Sequence, residues 1–302
     1  MLPTIIIQEQ GLRDGLQTLP HTFTVAQKLQ WIAMLANAGI RRIQVASFVH
    51  PKLVPSMADA EALFAALPSH DGITYSALVL NTKGVQRAIT SGVKHLAISL
   101  SASHTHSLRN TNKSITDAKT DIAQAIQLAV KHGIQVRAGV QCVLGCRYEG
   151  VISHAVVVDL VQHLLSCGAH EIALADSTGM GNPIQLKNLL EKVLPITQNV
   201  PLALHLHNTE NKGYANVVAA LQMGITQFDT AFGGLGGCPF IPAATGNIAT
   251  EDTVHMLHQM GYNTNIDISK VAQVSLQLEA LLGYKLPGLL YNLPLTLTPL
   301  II

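Results

Sequence analysis

Apolar residues recur along this chain with two periods, and the two alternate from one end to the other. Short β-branched runs (TIIIQE, RRIQVAS, GITYSALV, VKHLAISLS, IQVRAGVQ, HEIALAD, PLALHLH and ITQFDTAF) have the length and residue types of buried strands. Between them lie segments of helical period, among them AQKLQWIAMLANAG, TDIAQAIQLAVKHG and ANVVAALQMG, whose apolar positions return every three or four residues. A regular β-then-α alternation with short connections implies parallel strands joined by right-handed crossovers. Eight such units predict an α/β chain closed into a single-domain (β/α)8 TIM barrel, with an open doubly wound sheet as the alternative.

No linker or low-complexity stretch interrupts the pattern, so residues 1–262 are expected to form the barrel. Residues 263–302 read as an extra Leu-rich helix and an apolar tail. That tail, KLPGLLYNLPLTLTPLII, is broken by Pro287, Pro294 and Pro299 and is too short for a membrane span. It is expected to pack on the barrel or on a second subunit, as in a homodimer.

Composition sharpens this picture. Hydrophobic residues make up 48% of the 302 and charged residues only 12%, which describes an apolar globular chain rather than a disordered one. The net charge of +1, without a basic cluster, argues against nucleic acid as a partner. Four cysteines, Cys142, Cys146, Cys167 and Cys238, are too few for a disulfide scaffold, and the opening MLPTIII lacks the basic start of a signal peptide. A reducing, cytoplasmic setting is expected. Cys142 and Cys146 form C-x3-C with no second pair to complete a zinc site, so they read as packing or pocket residues.

Barrel enzymes place their chemistry at the carboxyl ends of the strands, and the polar residues there become candidates. Glu9, Arg13 and Asp14 follow the first strand, Gln44 and Ser47 end the second, and Ser99, Ser101 and Ser103 end the fourth. Gln141 and Cys142 end the fifth, Asp176 the sixth, and His205 and His207 the seventh. Residues two apart in a strand share a face, so both imidazoles of LHLHN can point at one centre. Asp14 would add a carboxylate, and Asn247, in GGLGGCPFIPAATGNIATED, a further oxygen. Such a set suits a divalent cation, Mg2+ or Mn2+ where oxygen donors dominate, although spacing alone leaves Zn2+, Fe2+ and Co2+ open. The glycines of that segment let backbone approach a ligand closely, as in a lid or cradle. After the fourth strand, SASHTHSLRNTNKS offers Arg109 and Lys113 as phosphate partners, with Asn110 and Ser114 beside them.

Taken together, RDGLQ, SFV.PK.VP.M, CVLGC.YEG, H-x-H and GLGGCP followed by GN.ATED resemble 3-hydroxy-3-methylglutaryl-CoA lyase over roughly residues 4 to 262. The resemblance implies a metal-dependent retro-Claisen cleavage of an acyl-CoA thioester to acetyl-CoA and a 3-keto acid. It implies metal ligands at Asp14, His205, His207 and Asn247, an electrophilic role for Arg13, and acid-base chemistry at Cys238, with His205 and Asp176 also at the catalytic centre. The Arg109, Asn110, Lys113 and Ser114 stretch would then take the CoA end. Two residues depart from the family pattern. IQVASF carries Gln44 where the family has an acid, and HNTE carries Asn208 where it has aspartate. Both remove a negative charge. They imply a weakened lyase, a different substrate, or a binding protein that has lost the reaction; another aldolase or synthase of the same superfamily is a further alternative.

Overall fold

The computed structural model describes residues 2–69, 72–237 and 246–293. Its centre is a closed barrel of eight parallel strands in sequence order: β1 (Ile6–Glu9), β2 (Arg42–Ser47), β3 (Thr74–Val79), β4 (His95–Ser101), β5 (Gln135–Gln141), β6 (Glu171–Asp176), β7 (Leu202–Leu206) and β8 (Gln227–Thr230). The ring closes where β8 pairs with β1, from Ile6 opposite Gln227 to Glu9 opposite Thr230. Each of the eight apolar runs contains one strand, and the doubly wound alternative is excluded by that closure.

Helices cover the outside: α1 (Val25–Asn37), α2 (Ala60–Ala66), α3 (Thr82–Thr90), α4 (His104–Thr111), α5 (Ile115–Lys131), α6 (His154–Ser166), α7 (Pro183–Thr197), α8 (Gly213–Gln222) and α9 (Thr250–Gln259). Helix α1 starts on a capping box in which Thr24 and Gln27 satisfy each other's backbone N–H groups. Its apolar stripe of Trp31, Ile32 and Leu35 is buried against the sheet. A tenth helix, α10 (Ile268–Leu282), follows the barrel and buries Val271, Val274 and Leu278. It is tied to the end of α1 by the Asp267 N–H, which donates to the Ala38 carbonyl at 2.7 Å. Leu286 and Tyr291 beyond it are also buried, while the final residues of the apolar tail lie outside the described residues. Among the described residues no helix is long and apolar enough to cross a membrane.

The barrel's outward-facing positions are apolar, Ile43 and Val45 on β2 for example. Its lumen is polar. Gln8, Arg42, Ser76, His95, Arg137 and Glu171 line a cavity of about 260 Å³ toward the amino-terminal ends of the strands. A larger cavity of about 1280 Å³ occupies the carboxy-terminal half and its mouth.

Candidate active site

The chain leaves β1 through a five-residue π-helical turn, Gly11–Gly15. The Gln10 carbonyl there accepts from the backbone N–H groups of Arg13, Asp14 and Gly15 at 3.1, 2.7 and 3.3 Å. Wide turns of this kind occur mostly at functional sites. This one sets Arg13 and Asp14 side by side, and both line the large cavity. They form an ion pair with each other. Arg13 also donates through Nε to Gln44 Oε1 and through Nη2 to Gln10 Oε1 at 3.2 Å. Gln44 reaches it because β2 slips register between Gln44 and Ala46, a bulge of the kind that re-aims side chains beside active sites.

His205 on β7 and His207, one residue past its end, line the same cavity, as their two-residue spacing requires. Their Nε2 atoms are 3.0 Å apart, and His205 Nε2 is 4.0 Å from Asp14 Oδ2. The three ligand atoms lie within 4.8 Å of one another. Asn247 joins them because its backbone bridges to His207. Its Nδ2 donates to Asp14 Oδ2 at 2.7 Å and to the Leu235 carbonyl at 2.9 Å. Backbone crowds this corner: a Cβ on Gly236, whose φ is +108°, would lie 2.4 Å from Asn247 Nδ2 and 3.2 Å from Asp14 Oδ2.

These residues fit a divalent cation. Asn247 Oδ1 is buried without a hydrogen-bond partner, a costly state for a polar atom. Two facing imidazole nitrogens at 3.0 Å match adjacent corners of an octahedron with bonds of about 2.1 Å. Burial would raise the Asp14 carboxyl, but the Arg13 guanidinium, the two imidazoles and the Asn247 amide outweigh it and hold it well below the usual carboxylate range. Burial, reinforced by the His205 ring, pushes His207 down to about 3. The group therefore presents an ionised carboxylate and a neutral His207 at neutral pH, the forms that bind metal.

The remaining candidates divide. Asn110 lines the cavity. Arg109 lies exposed on α4 with its guanidinium 4.3 Å from the Tyr148 ring centroid. Lys113 is engaged in an ion pair with Asp121, and Ser114 caps α5 by accepting from the Asp117 N–H at 3.1 Å. Asp176 is turned out of the lumen, because Ala173, Ala175 and Ser177 take the inward positions. Its carboxylate accepts from Gly181 N at 3.0 Å and sits 3.5 Å from the Thr178 hydroxyl. Burial pushes it up to about 6. It ends β6 beside the large cavity rather than lining it, and its hydrogen bonds hold the loop that follows the strand. Cys238 lies outside the described residues; the chain leaves them at Gly237 and re-enters at Gly246, next to Asn247.

Asn208 accepts from the Gly213 N–H at 3.0 Å and its own N–H donates to the Gly246 carbonyl at 2.8 Å. That acceptor role needs an oxygen and no charge, and the amide of Asn208 supplies it. Sequence reading also passed over Asp229 on β8, which accepts at 3.0 Å from His205 Nδ1. Burial opposes its ionisation, yet the neighbouring Arg137 guanidinium brings it down to about 2. Its signal was a single acid in the otherwise uncharged run ITQFDTAF.

Comparison with known proteins agrees with this geometry. Residues 4–277 match the family model described as HMGL-like. The chain is 39% identical over 284 residues to hydroxymethylglutaryl-CoA lyase YngG of Bacillus subtilis, covering 94% of this chain and 95% of that protein. It is 36% identical over 298 residues to (R)-citramalyl-CoA lyase of Chloroflexus aurantiacus, covering 95% and 94%. The solved structure of an HMG-CoA lyase from Acinetobacter baumannii in complex with coenzyme A and 3-methylmalate superposes with a TM-score of 0.90 at 40% identity, covering 94% of this chain and 93% of that one. With a match that runs through all eight strands and into α10, the chain belongs to the HMGL-like family.

Proposed function

We propose that this protein is a metal-dependent carbon–carbon lyase that cleaves 3-hydroxy-3-methylglutaryl-CoA, or a related 3-hydroxyacyl-CoA, to acetyl-CoA and a 3-keto acid. The observation that carries the reading is the convergence of Asp14, His205, His207 and Asn247 with the Arg13 guanidinium on one cavity. Asp14, the two histidines and Asn247 would hold the cation, Mg2+ or Mn2+ by the mixture of oxygen and nitrogen donors. Such an ion lowers the pKa of a substrate hydroxyl and polarises the forming ketone.

The bond between C2 and C3 breaks as the C3 hydroxyl loses its proton. The electron pair passes to the thioester as an enolate, which then takes a proton at C2 to become acetyl-CoA. Arg13 supports this step by offering fixed positive charge to the thioester oxygen, a preorganised donor worth about 3 to 4 kcal/mol in the barrier. Its bonds to Gln44 and Gln10 hold it there before substrate arrives. His205 and Cys238 are assigned the proton transfers. The CoA end is assigned to the α4 side of the mouth, with Arg109 and Asn110 as its partners. A homodimer and a cytoplasmic location belong to the same reading.

A second reading keeps the chemistry and changes the acyl group. It is favoured by the neutral Gln44 beside Arg13 and by the similarity to a citramalyl-CoA lyase. Acetyl-CoA release is to be measured with Mg2+ or Mn2+ on a panel containing both thioesters, with Asp14→Asn as control. Activity on the methylglutaryl thioester supports the first reading, and activity on citramalyl-CoA alone the second. The control is expected to lose about a thousandfold or more. Silence on the whole panel, or an Asp14→Asn protein as active as wild type, overturns the assignment.

A further inference from the structure

We infer that Asp229 is a positioning residue that fixes the tautomer and orientation of His205, and that Arg137 fixes the polarity of that contact. The inference rests on the cation-site reading above and extends it to residues of β5 and β8.

The geometry is a buried line of ion pairs along the barrel axis. His205 lies opposite Asp229 in the β7–β8 register, and its Nδ1 is 3.0 Å from Asp229 Oδ2. The other carboxylate oxygen, Oδ1, is 2.8 Å from Arg137 Nη1. Arg137 Nε lies 3.0 Å from Glu171 Oε1, and Glu171 Oε2 accepts from Arg42 Nη2 at 2.6 Å. Asp229 and Arg137 are only 4% and 8% exposed, so these contacts are sheltered from solvent. The Arg137 contacts are close ion pairs rather than aligned hydrogen bonds, since Asp229 Oδ1 and Arg137 Nε make none. Two arginines and two carboxylates leave the line neutral overall.

An ionised carboxylate only accepts, so the His205 proton must sit on Nδ1. That leaves the lone pair of Nε2 for the cation centre, where it faces His207 and Asp14. Carboxylate partners of this type orient metal-binding imidazoles, and their loss typically costs 10- to 100-fold in metal affinity. Arg137 adds a constraint that the carboxylate alone lacks. A guanidinium has donors and no acceptor, so whatever replaces the Asp229 carboxylate must turn an oxygen toward Arg137.

This makes Asp229→Asn a directional test. With its oxygen toward Arg137, the new amide presents N–H to His205 Nδ1, which drives the imidazole proton to Nε2 and masks the cation-facing nitrogen. Uniformly 15N-histidine-labelled protein, free of metal, reads the tautomer by NMR, with His205 assigned by its own substitution. Titration with Mn2+ reads the affinity. Wild type is expected to carry the Nδ1 proton. Asp229→Asn is expected to move it to Nε2 and weaken Mn2+ binding by about 10- to 100-fold. Adding Arg137→Met frees the amide to rotate and is expected to return the Nδ1 tautomer and much of the affinity, a rescue that a merely destabilising substitution does not produce. An Nε2 proton in wild type overturns the inference, and that measurement requires no variant to fold. So does Mn2+ affinity in Asp229→Asn equal to that of wild type. Wild type that binds no Mn2+ while showing the Nδ1 tautomer counts against the cation-site reading instead.

Discussion

Glu9 and Asp14 are five residues apart, one at the end of β1 and one within the turn that follows, and the protein drives their carboxyls in opposite directions. Glu9 is fully buried behind the cavity. It accepts from the backbone N–H groups of Gly11 and Phe232 at 2.6 and 3.0 Å and from the Thr250 hydroxyl at 2.6 Å. None of these donors is charged, burial prevails, and the carboxyl rises to about 7. Beside it Glu251 accepts from Gly233 N at 3.0 Å and from the Ser275 hydroxyl, and burial raises it also to about 7. The two acids clamp the start of the glycine-rich segment to the turn that carries Arg13. Asp14, facing the cavity, meets a guanidinium and two imidazoles, and is held ionised. Depth of burial therefore does not decide a carboxylate's role in this barrel. Whether its partners carry charge does.

The largest test of that division is Arg13, the cation that marks the cavity side. Arg13→Met is expected to lower kcat by about a hundredfold or more while changing metal affinity little, because its main contribution arises as charge develops on the thioester oxygen. Steady-state kinetics and Mn2+ titration on the same protein measure the two effects separately. Near-normal turnover would remove Arg13 from the reaction and reduce its pair with Asp14 to a structural contact.

The clamp side is tested by pH. A carboxyl whose folded pKa of about 7 exceeds its ordinary value of 4.5 holds its proton more tightly in the folded protein. Its contribution to stability is fully present below about pH 4.5 and is lost as pH rises through about 7. Glu251→Gln removes this dependence and keeps an acceptor for Gly233 and Ser275. The unfolding free energy of the variant relative to wild type is expected to grow by up to about 3 kcal/mol between pH 4.5 and 7.5. Urea unfolding at a series of pH values measures it. A difference that stays flat across that range would mean that Glu251 is ionised when folded, and the contrast with Asp14 would vanish.

What could be read ahead of the structure follows the same division. The strands, the H-x-H pair and the adjacency of Arg13 and Asp14 are local: alternation in a strand or succession in a turn places them. Asp176 was legible in principle too, since its neighbours Ala175 and Ser177 take the lumen and leave it facing outward. Lys113 was not, because its partner Asp121 lies two turns into α5. Nor was the bond from the Gly213 N–H to Asn208, which closes the turn before α8. Asp229 required the register of two strands, which no single stretch of sequence carries. The glycine-rich segment was recognised as a unit, while its attachment through Glu9 and Glu251 depends on side chains from β1, α9 and α10 meeting in three dimensions.

The smallest expected effect concerns Gln44, which stands on the boundary between the two regions. It is 1% exposed, lies at the β2 bulge, and accepts from Arg13 Nε as a neutral partner on the cavity side. If it is a lost carboxylate in an otherwise lyase-type site, Gln44→Glu adds negative charge next to Arg13 and near the cation centre, where the effective dielectric is below that of water. Mn2+ affinity and turnover of the methylglutaryl thioester should then rise together, by about tenfold, which corresponds to about 1.4 kcal/mol. If the amide instead serves another acyl group, its N–H donors are lost on conversion to a carboxylate, which only accepts. The variant then fails to gain on the methylglutaryl thioester and loses activity on the thioester that wild type prefers. Kinetics of both proteins on the same panel separate the two cases. A gain places Gln44 with Asp14, among residues whose charge sets the chemistry; a loss places it among the neutral donors and acceptors that set shape and specificity.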